Sequence, residues 1–149
     1  MNTLAMYQRF SKLPMGTHLF SKAVCIAAPY FSSIKPNVSQ LKPGLCQVNM
    51  KKRRAVQNHM KTVHAIAMCN MAELSAGLVM DVSIPKGARW IPAGMEVKYL
   101  KKAKSHLTAI ADGEGINWQT QGDVFVPVRV TDVDNQLVFS AEVRMNIKQ

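Results

Sequence analysis

The spacing of apolar residues divides the chain into three regions. Residues 1–33 show loose helical periodicity interrupted by Pro14 and Gly16, which predicts one or two short helices. Residues 63–82 are apolar on nearly every side of a helix and contain no proline and a single glycine. From residue 95 onward, apolar and polar residues alternate, as they do in strands that face a core on one side. The pattern therefore predicts an N-terminal helical segment, one long helix and a series of strands.

The strand-like region predicts an antiparallel sheet. Four segments alternate, at residues 95–100, 105–113, 123–132 and 137–147. Asp134-Asn135 between the last two is favourable hairpin-turn chemistry. Residues 40–52 predict a further hairpin that turns at Pro43-Gly44, and residues 84–94, with two prolines, predict a loop. We therefore expect five to six strands, most of them joined by short turns.

The long helix indicates how these elements are arranged. Thr62 is a plausible N-cap, so the pattern predicts a helix over residues 63–82, about 20 residues and roughly 30 Å long. A helix that is apolar on most sides must be covered on most sides, and a curved antiparallel sheet can provide that cover. The sequence thus predicts an α+β fold, with a helical extension over residues 1–33 and one sheet-and-helix domain over residues 34–149. Part of the helix would remain for a dimer partner to cover.

The charge is unevenly distributed along a chain of 149 residues with a formal net charge of +10. Residues 35–104 carry 13 basic and 3 acidic side chains, whereas residues 105–149 carry 3 basic and 6 acidic ones. The densest clusters are KKRR at residues 51–54 and KKAK at residues 101–104. The middle of the chain should therefore attract an anionic partner, although a basic surface can also serve solubility alone.

Cysteine usage and the long helix limit the possible chemistry and location. The three cysteines lie far apart, without a CxxC pair or a histidine at ligand spacing, so we expect no metal site and no disulfide. A reducing, cytoplasmic location fits this pattern. The long helix contains Asn70 and Glu73, which are costly in lipid, so we expect no membrane insertion.

Polar residues are concentrated at the start of the long helix, and one acid lies in its middle. Asn58, Thr62 and His64 precede the helix, and Glu73 follows among apolar neighbours. A carboxylate in such surroundings should be poorly solvated and therefore a better proton acceptor; the alternative is a buried acid paired with Lys or Arg. Nine residues at about 100° each place Glu73 opposite His64, so one chain could not easily bring both to one substrate atom.

This constellation resembles hotdog-fold acyl-CoA thioesterases, in particular the phenylacetyl-CoA thioesterase-like branch and its uncharacterised relatives. Asn58, Thr62, His64 and Glu73 follow the spacing of that family's motif. The segments MEVKYLKKAK and GDVFVPVRVTDVDNQLVFSAEV are similar to its third strand and final hairpin. The resemblance covers residues 34–149, and residues 1–33 are not part of it. It implies a hotdog fold, in which a curved antiparallel sheet wraps one central helix, and a homodimer or tetramer.

The resemblance also implies roles for individual residues. The backbone N–H of Ala65 would hold the thioester carbonyl oxygen, and Asn58 would orient the substrate or the attacking water. Glu73, facing the other protomer's helix entrance, would act as general base on that water, or as nucleophile. His64 would hold the entrance loop by hydrogen bonds or take part in the chemistry. No cofactor is implied, because coenzyme A is part of the acyl-CoA substrate.

Further residues are candidates for substrate binding. The lysines that follow the third strand could bind the phosphates of coenzyme A, and by position they are better candidates than residues 51–54. Asn70 lies one turn before Glu73 and could orient its carboxylate or simply fill a polar pocket. The predicted substrate-binding residues are Thr62, Asn70, Lys101, Lys102 and Lys104.

Two departures from the family pattern keep other functions open. Ala65-Ile66 stands where many relatives have Gly-Gly, and Pro92 stands where some have a hydroxyl side chain. Both favour a non-catalytic protein that binds acyl-CoA or lipid. A dehydratase on the same fold is another alternative. A nucleic-acid binder would explain the charge alone, but the basic segments lack interleaved aromatic residues, so we expect no nucleic-acid partner.

Overall fold

The structure, a computed structural model, describes residues 2–149 and contains three α-helices and six β-strands. The helices are α1 (Thr3–Phe10), α2 (Gly16–Ala27) and α3 (Ala65–Ser83). The strands are β1 (Asn37–Lys42), β2 (Leu45–Met50), β3 (Arg89–Tyr99), β4 (Leu107–Asp112), β5 (Gly122–Thr131) and β6 (Leu137–Lys148). Two short 3₁₀ helices span Pro29–Ile34 and Arg54–Val56.

All six strands form one antiparallel sheet in the order β1-β2-β4-β5-β6-β3. The sheet curves around α3, which lies near the middle of the molecule and packs against every strand. The predicted architecture, a curved antiparallel sheet of five to six strands around one long helix with N-terminal helices, is confirmed. The hairpin between β1 and β2 turns at the predicted Pro43-Gly44, where Gly44 adopts a positive φ of 78°.

Alternation along the strands produces the core. One row of paired residues crosses the sheet from β1 to β3, namely Val38, Val48, Ala109, Val130, Phe139 and Tyr99. The first five are fully buried, whereas Tyr99 on β3 is 55% exposed. Each buried valine in such a row contributes about 1.5–3 kcal/mol relative to an exposed one. The core therefore extends through five strands and ends at β3.

The long helix begins two residues later than expected. His64, not Thr62, is the N-cap of α3, so the predicted cap was wrong. The reason is that the Thr62 amide and hydroxyl already hydrogen-bond to the side chain of Asn58, which holds Thr62 in the preceding loop. By length and composition alone α3 could span a membrane, but most of it is buried inside the sheet, as is common for a core helix.

The predicted loop over residues 84–94 was also wrong in its second half, because β3 begins at Arg89 and runs through Pro92. The register of β3 against β6 shifts between Pro92 and Gly94, so a bulge follows the proline. Proline is tolerated in edge strands and at bulges, and β3 is an edge strand. The two prolines thus indicated a loop, whereas the tertiary structure has an edge strand with a bulge after Pro92.

The N-terminal helices cover the opposite edge of the sheet. Tyr7 of α1 packs edge-to-face on Phe20 of α2, with ring centroids 5.0 Å apart. The Tyr7 hydroxyl donates to the Ser39 carbonyl at 2.9 Å, and the Val38 amide donates to the Ser21 hydroxyl at 2.7 Å. These hydrogen bonds hold the N-terminal helices against β1. The strand left as the open edge of the sheet is therefore β3.

Candidate active site

The entrance of α3 presents an unpaired backbone donor. The Nδ1 atom of His64 accepts a hydrogen bond from the Ile66 amide at 3.0 Å, which caps the helix and leaves Nε2 as the protonated ring nitrogen. Among residues 2–149, the Ala65 amide has no hydrogen-bond acceptor. An unpaired N–H at the positive end of a helix dipole is suited to stabilise an oxyanion.

Asn58 organises the loop that leads to this donor. Its Oδ1 atom accepts from the amides of Met60 at 3.0 Å and Thr62 at 3.1 Å. Its Nδ2 atom donates to the Thr62 hydroxyl at 2.9 Å. Lys61, between these contacts, adopts a positive φ of 61°. The side chains of Asn58 and Thr62 thus hydrogen-bond to each other, and one Nδ2 hydrogen of Asn58 remains for another partner.

A cavity of about 380 Å³ lies beside the loop and the helix entrance. We call it the entrance cavity. Its lining includes Asn58, Thr62, Ala65, Tyr99, Lys101 and Lys102. Two of the four motif residues, Asn58 and Thr62, therefore lie around one space with Ala65 and two of the three predicted lysines.

The two basic clusters of the sequence meet next to the entrance cavity. The Lys52 Nζ atom donates to the Lys104 carbonyl at 3.2 Å, and the Lys52 amide donates to His106 Nδ1 at 2.9 Å. Lys101 donates to the Gln136 side chain at 3.0 Å. Segments that are 50 residues apart in sequence thus form one positive surface, although the sequence presented them as alternative sites for binding the phosphates of coenzyme A.

Glu73 lines a different cavity of about 360 Å³, which we call the acid cavity. Ile66, Cys69, Asn70 and Phe31 are among its other lining residues. Every residue from 70 to 80 is buried except Glu73, which is exposed. The expectation that apolar sequence neighbours would leave its carboxylate poorly solvated was wrong for the single chain, because those neighbours point into the core while Glu73 points out.

Asn70 lies beside Glu73 without a hydrogen bond between the two side chains. It is only 7% exposed, and its Nδ2 atom donates to the Ser33 hydroxyl at 3.1 Å. Its Oδ1 atom is buried and has no partner among the described residues. Asn70 therefore ties α3 to the 3₁₀ helix Pro29–Ile34 at the wall of the acid cavity.

The two cavities approach each other at a contact that sequence reasoning missed. The Tyr99 hydroxyl lies 3.7 Å from the Cys69 sulfur, with Tyr99 in the entrance cavity and Cys69 in the acid cavity. The hydrogen bond with Cys69 raises the pKa of the Tyr99 phenol above its ordinary value. The only sequence signal was an aromatic residue at the end of the third strand.

One chain thus holds the predicted site residues in two places. Ala65 and Asn58 line the entrance cavity and Glu73 lines the acid cavity. Lys104 and His64 are exposed and line neither cavity. Among residues 2–149, no three His, Cys, Asp or Glu side chains lie close enough together to hold a metal ion.

Comparisons with known proteins identify the fold. The model of the family "Domain of unknown function (DUF4442)" matches residues 16–147. A solved structure named only as genomics APC5556 is 46% identical, with a TM-score of 0.90, and the similarity covers 99% of this chain and 98% of that one. That similarity includes the N-terminal extension. No curated protein matches.

More distant structures include named thioesterases. A probable thioesterase of unknown function from Pseudomonas aeruginosa is 15% identical with a TM-score of 0.76, over 91% of this chain and 96% of its own. A thioesterase from Haemophilus influenzae is 12% identical with a TM-score of 0.72, over 80% and 82%. At these identities the similarity shows the fold, and the predicted hotdog fold is confirmed.

Proposed function

We propose that this chain, which belongs to the DUF4442 family and has the hotdog fold, hydrolyses the thioester bond of an acyl-CoA. One observation carries the proposal. Glu73 is the single exposed residue between positions 70 and 80 of a buried helix, and the same helix presents the unpaired Ala65 amide at its start. A carboxylate and an oxyanion donor are the two groups that acyl transfer to water requires.

In the proposed reaction, Glu73 removes a proton from a water molecule, and the water oxygen attacks the thioester carbonyl carbon. The carbonyl oxygen becomes negatively charged and accepts a hydrogen bond from the Ala65 amide, which already carries a partial positive charge. The carbon–sulfur bond then breaks, and the proton held by Glu73 passes to the leaving thiolate. The products are a carboxylic acid and a free thiol, and Glu73 returns to its ionised form.

The basic surface beside the entrance cavity would bind the phosphates of coenzyme A. Lys101 and Lys102 line that cavity, and Lys104 is joined to Lys52 next to it. Each lysine ammonium group attracts phosphate as a point charge. Water weakens each of these attractions at an exposed surface, and several lysines together offset that loss. Placing the pantetheine arm in the entrance cavity brings the thioester towards Ala65. The three free cysteines are compatible with a reaction in the cytoplasm.

The separation of the two cavities favours a homodimer in which each site uses both chains. Strand β3 is an open edge of eleven residues with exposed apolar side chains, including Ile91 at 58% and Met95 at 38%. An edge of this kind pairs readily with another strand. A twofold axis at β3 would let the acid cavity of one protomer face the entrance cavity of its partner, through Glu73 and Ala65.

Thiol release from a panel of acyl-CoA thioesters, short, long and aryl, tests the proposed function. We expect at least one class to be hydrolysed at a rate that is proportional to protein concentration and saturable in substrate. Tight binding of acyl-CoA with no thiol release would contradict hydrolysis. It would support the non-catalytic alternative, which Ala65-Ile66 in place of the Gly-Gly of many relatives favours.

Mixed dimers of two inactive variants test whether the site is shared. Glu73→Gln and Ala65→Pro chains carrying different tags are co-expressed, and the mixed dimer is purified through both tags. If each site takes Glu73 from one chain and Ala65 from the other, one of two sites is intact and about half the native rate returns. A mixed dimer as inactive as either parent would show that both groups act within one chain.

A further inference from the structure

A third cavity, of about 310 Å³, lies between the N-terminal extension, α3 and the start of β3. We call it the extension cavity. It adjoins the acid cavity, because Ala28, Phe31 and Glu73 line both. Its position beside Glu73 makes it a space into which a group attached to the reacting carbonyl can extend.

Small residues keep the extension cavity open. Ala23 and Ala27 form part of the wall contributed by α2, and Gly77 forms part of the wall contributed by α3. A Cβ atom at Gly77 would lie 2.8 Å from the Trp90 ring, so only glycine lets the indole lie this close to the helix. Larger side chains at these positions would fill the space or displace Trp90.

A polar clasp lies at the far end of the extension cavity. The Asp81 carboxylate accepts from Trp90 Nε1 at 2.6 Å and from the Thr3 hydroxyl at 3.5 Å. These bonds join α3, β3 and α1. Between Glu73 at one end and the Asp81 clasp at the other, the walls are mainly hydrocarbon, including Met6, Val24, Leu74 and Leu78.

The length of the extension cavity can be estimated from α3, which forms one of its walls. Glu73 and Asp81 are eight residues apart, which corresponds to about 12 Å along α3. An extended chain of single bonds advances about 1.2 Å per bond, by the same geometry that limits an extended peptide. The distance therefore matches about ten bonds. A chain of this length would fill the cavity from the carboxylate to the clasp.

We propose that the extension cavity binds the acyl chain and that the substrate class is straight-chain acyl thioesters of about eight to ten carbons. This inference rests on the proposed function. It assigns residues 3–31 a role that the family motif does not contain, since they form one wall of the acyl site. The clasp of Asp81, Trp90 and Thr3 sets the chain length, and the alanines of α2 set the width.

Two variants change the volume of the cavity in opposite directions. Ala27→Leu narrows it from α2, and Trp90→Ala enlarges it at the clasp. The control is Ala5→Leu, which makes the same change at an exposed position of α1 outside the cavity. We would measure kcat/KM for straight-chain acyl-CoA thioesters of four to fourteen carbons and for phenylacetyl-CoA, and the rise in Tm of each protein with decanoyl-CoA.

The native protein and Ala5→Leu should prefer eight to ten carbons. Ala27→Leu should lose about tenfold or more on decanoyl-CoA and keep its rate on butyryl-CoA, since single methylenes change kcat/KM by that order in an apolar pocket. Trp90→Ala should gain on chains longer than ten carbons, a result that misfolding cannot produce. An unchanged profile in Ala27→Leu, or a native preference for phenylacetyl-CoA, would overturn the proposal.

Thermal shifts separate this inference from the proposed function. If no thioester is hydrolysed but decanoyl-CoA raises the Tm of the native protein and not of Ala27→Leu, the cavity binds acyl chains and the hydrolytic function is wrong. If thiol is released while the Tm shift is the same in both proteins, hydrolysis stands and the assignment of the acyl site to this cavity is wrong.

Discussion

The Glu73→Gln variant is expected to lose about 10²- to 10⁴-fold in kcat on its best acyl-CoA substrate, the range that positioned general bases contribute. Glutamine has nearly the same shape and polarity but cannot take a proton from water at neutral pH. Glu73 is exposed and forms no hydrogen bond or ion pair among residues 2–149, so the variant should fold and unfold like the native protein. Thiol release measures the activity, and thermal unfolding measures the stability.

Glu114→Gln is the matched control for this variant, because Glu114 is also exposed and lies in the loop after β4, outside the entrance, acid and extension cavities. It should keep the native rate. We expect KM to change little in Glu73→Gln, since a group that acts on water contributes mainly to the transition state. A Glu73→Gln protein that retains the native kcat would show that Glu73 is not the general base and that another group activates the water.

The Ala65→Pro variant removes the proposed oxyanion donor and little else. Ala65 is the first residue of α3, the position where proline fits a helix best because its N–H has no helical partner. The preceding residue, His64, has φ −64° and ψ 138°, the extended conformation that a following proline requires. We therefore expect native stability with a loss of about 10²- to 10³-fold in kcat, the usual effect of deleting one oxyanion donor.

Ala65→Gly is the control, because it keeps the backbone N–H and changes only the side chain. It should retain most of the activity, and its free energy of unfolding should fall by less than about 1 kcal/mol, the cost of a glycine in a helix. Near-native turnover by Ala65→Pro would show that another donor holds the carbonyl oxygen. The exposed Tyr99 hydroxyl, which also lines the entrance cavity, would then be the next residue to change.

Much of the fold was predictable because it depends on local periodicity. The alternation of Val124, Val126, Val128 and Val130 indicated a strand with one buried face, and all four are buried in β5. The apolar character of residues 63–82 on all sides indicated a helix inside a sheet. Binary patterns of this kind are decided by which side chains leave water, and that information is contained in a single segment.

The candidate site was predictable only as a set of residues. Asn58, Thr62, His64 and Glu73 could be selected by their spacing, and helical geometry placed Glu73 opposite His64. The role of the Ala65 amide was implied only by the family resemblance. The cap at His64, the solvent exposure of Glu73 and the strand through Pro92 were not predictable. The cap depends on the hydrogen bonds that Asn58 makes to Thr62, and the strand through Pro92 depends on a bulge opposite β6. The exposure of Glu73 depends on how α3 packs inside the sheet.

By itself, then, the sequence determined the long buried helix, the strand faces and the acid that interrupts the helix, because burial and periodicity are local properties. Only the tertiary structure brought together the two basic clusters, 50 residues apart, and placed the N-terminal helices against α3 to form the extension cavity. These features depend on how separate elements pack. Side-chain volume, such as the space that Gly77 leaves for Trp90, decides that packing, and no single segment encodes it.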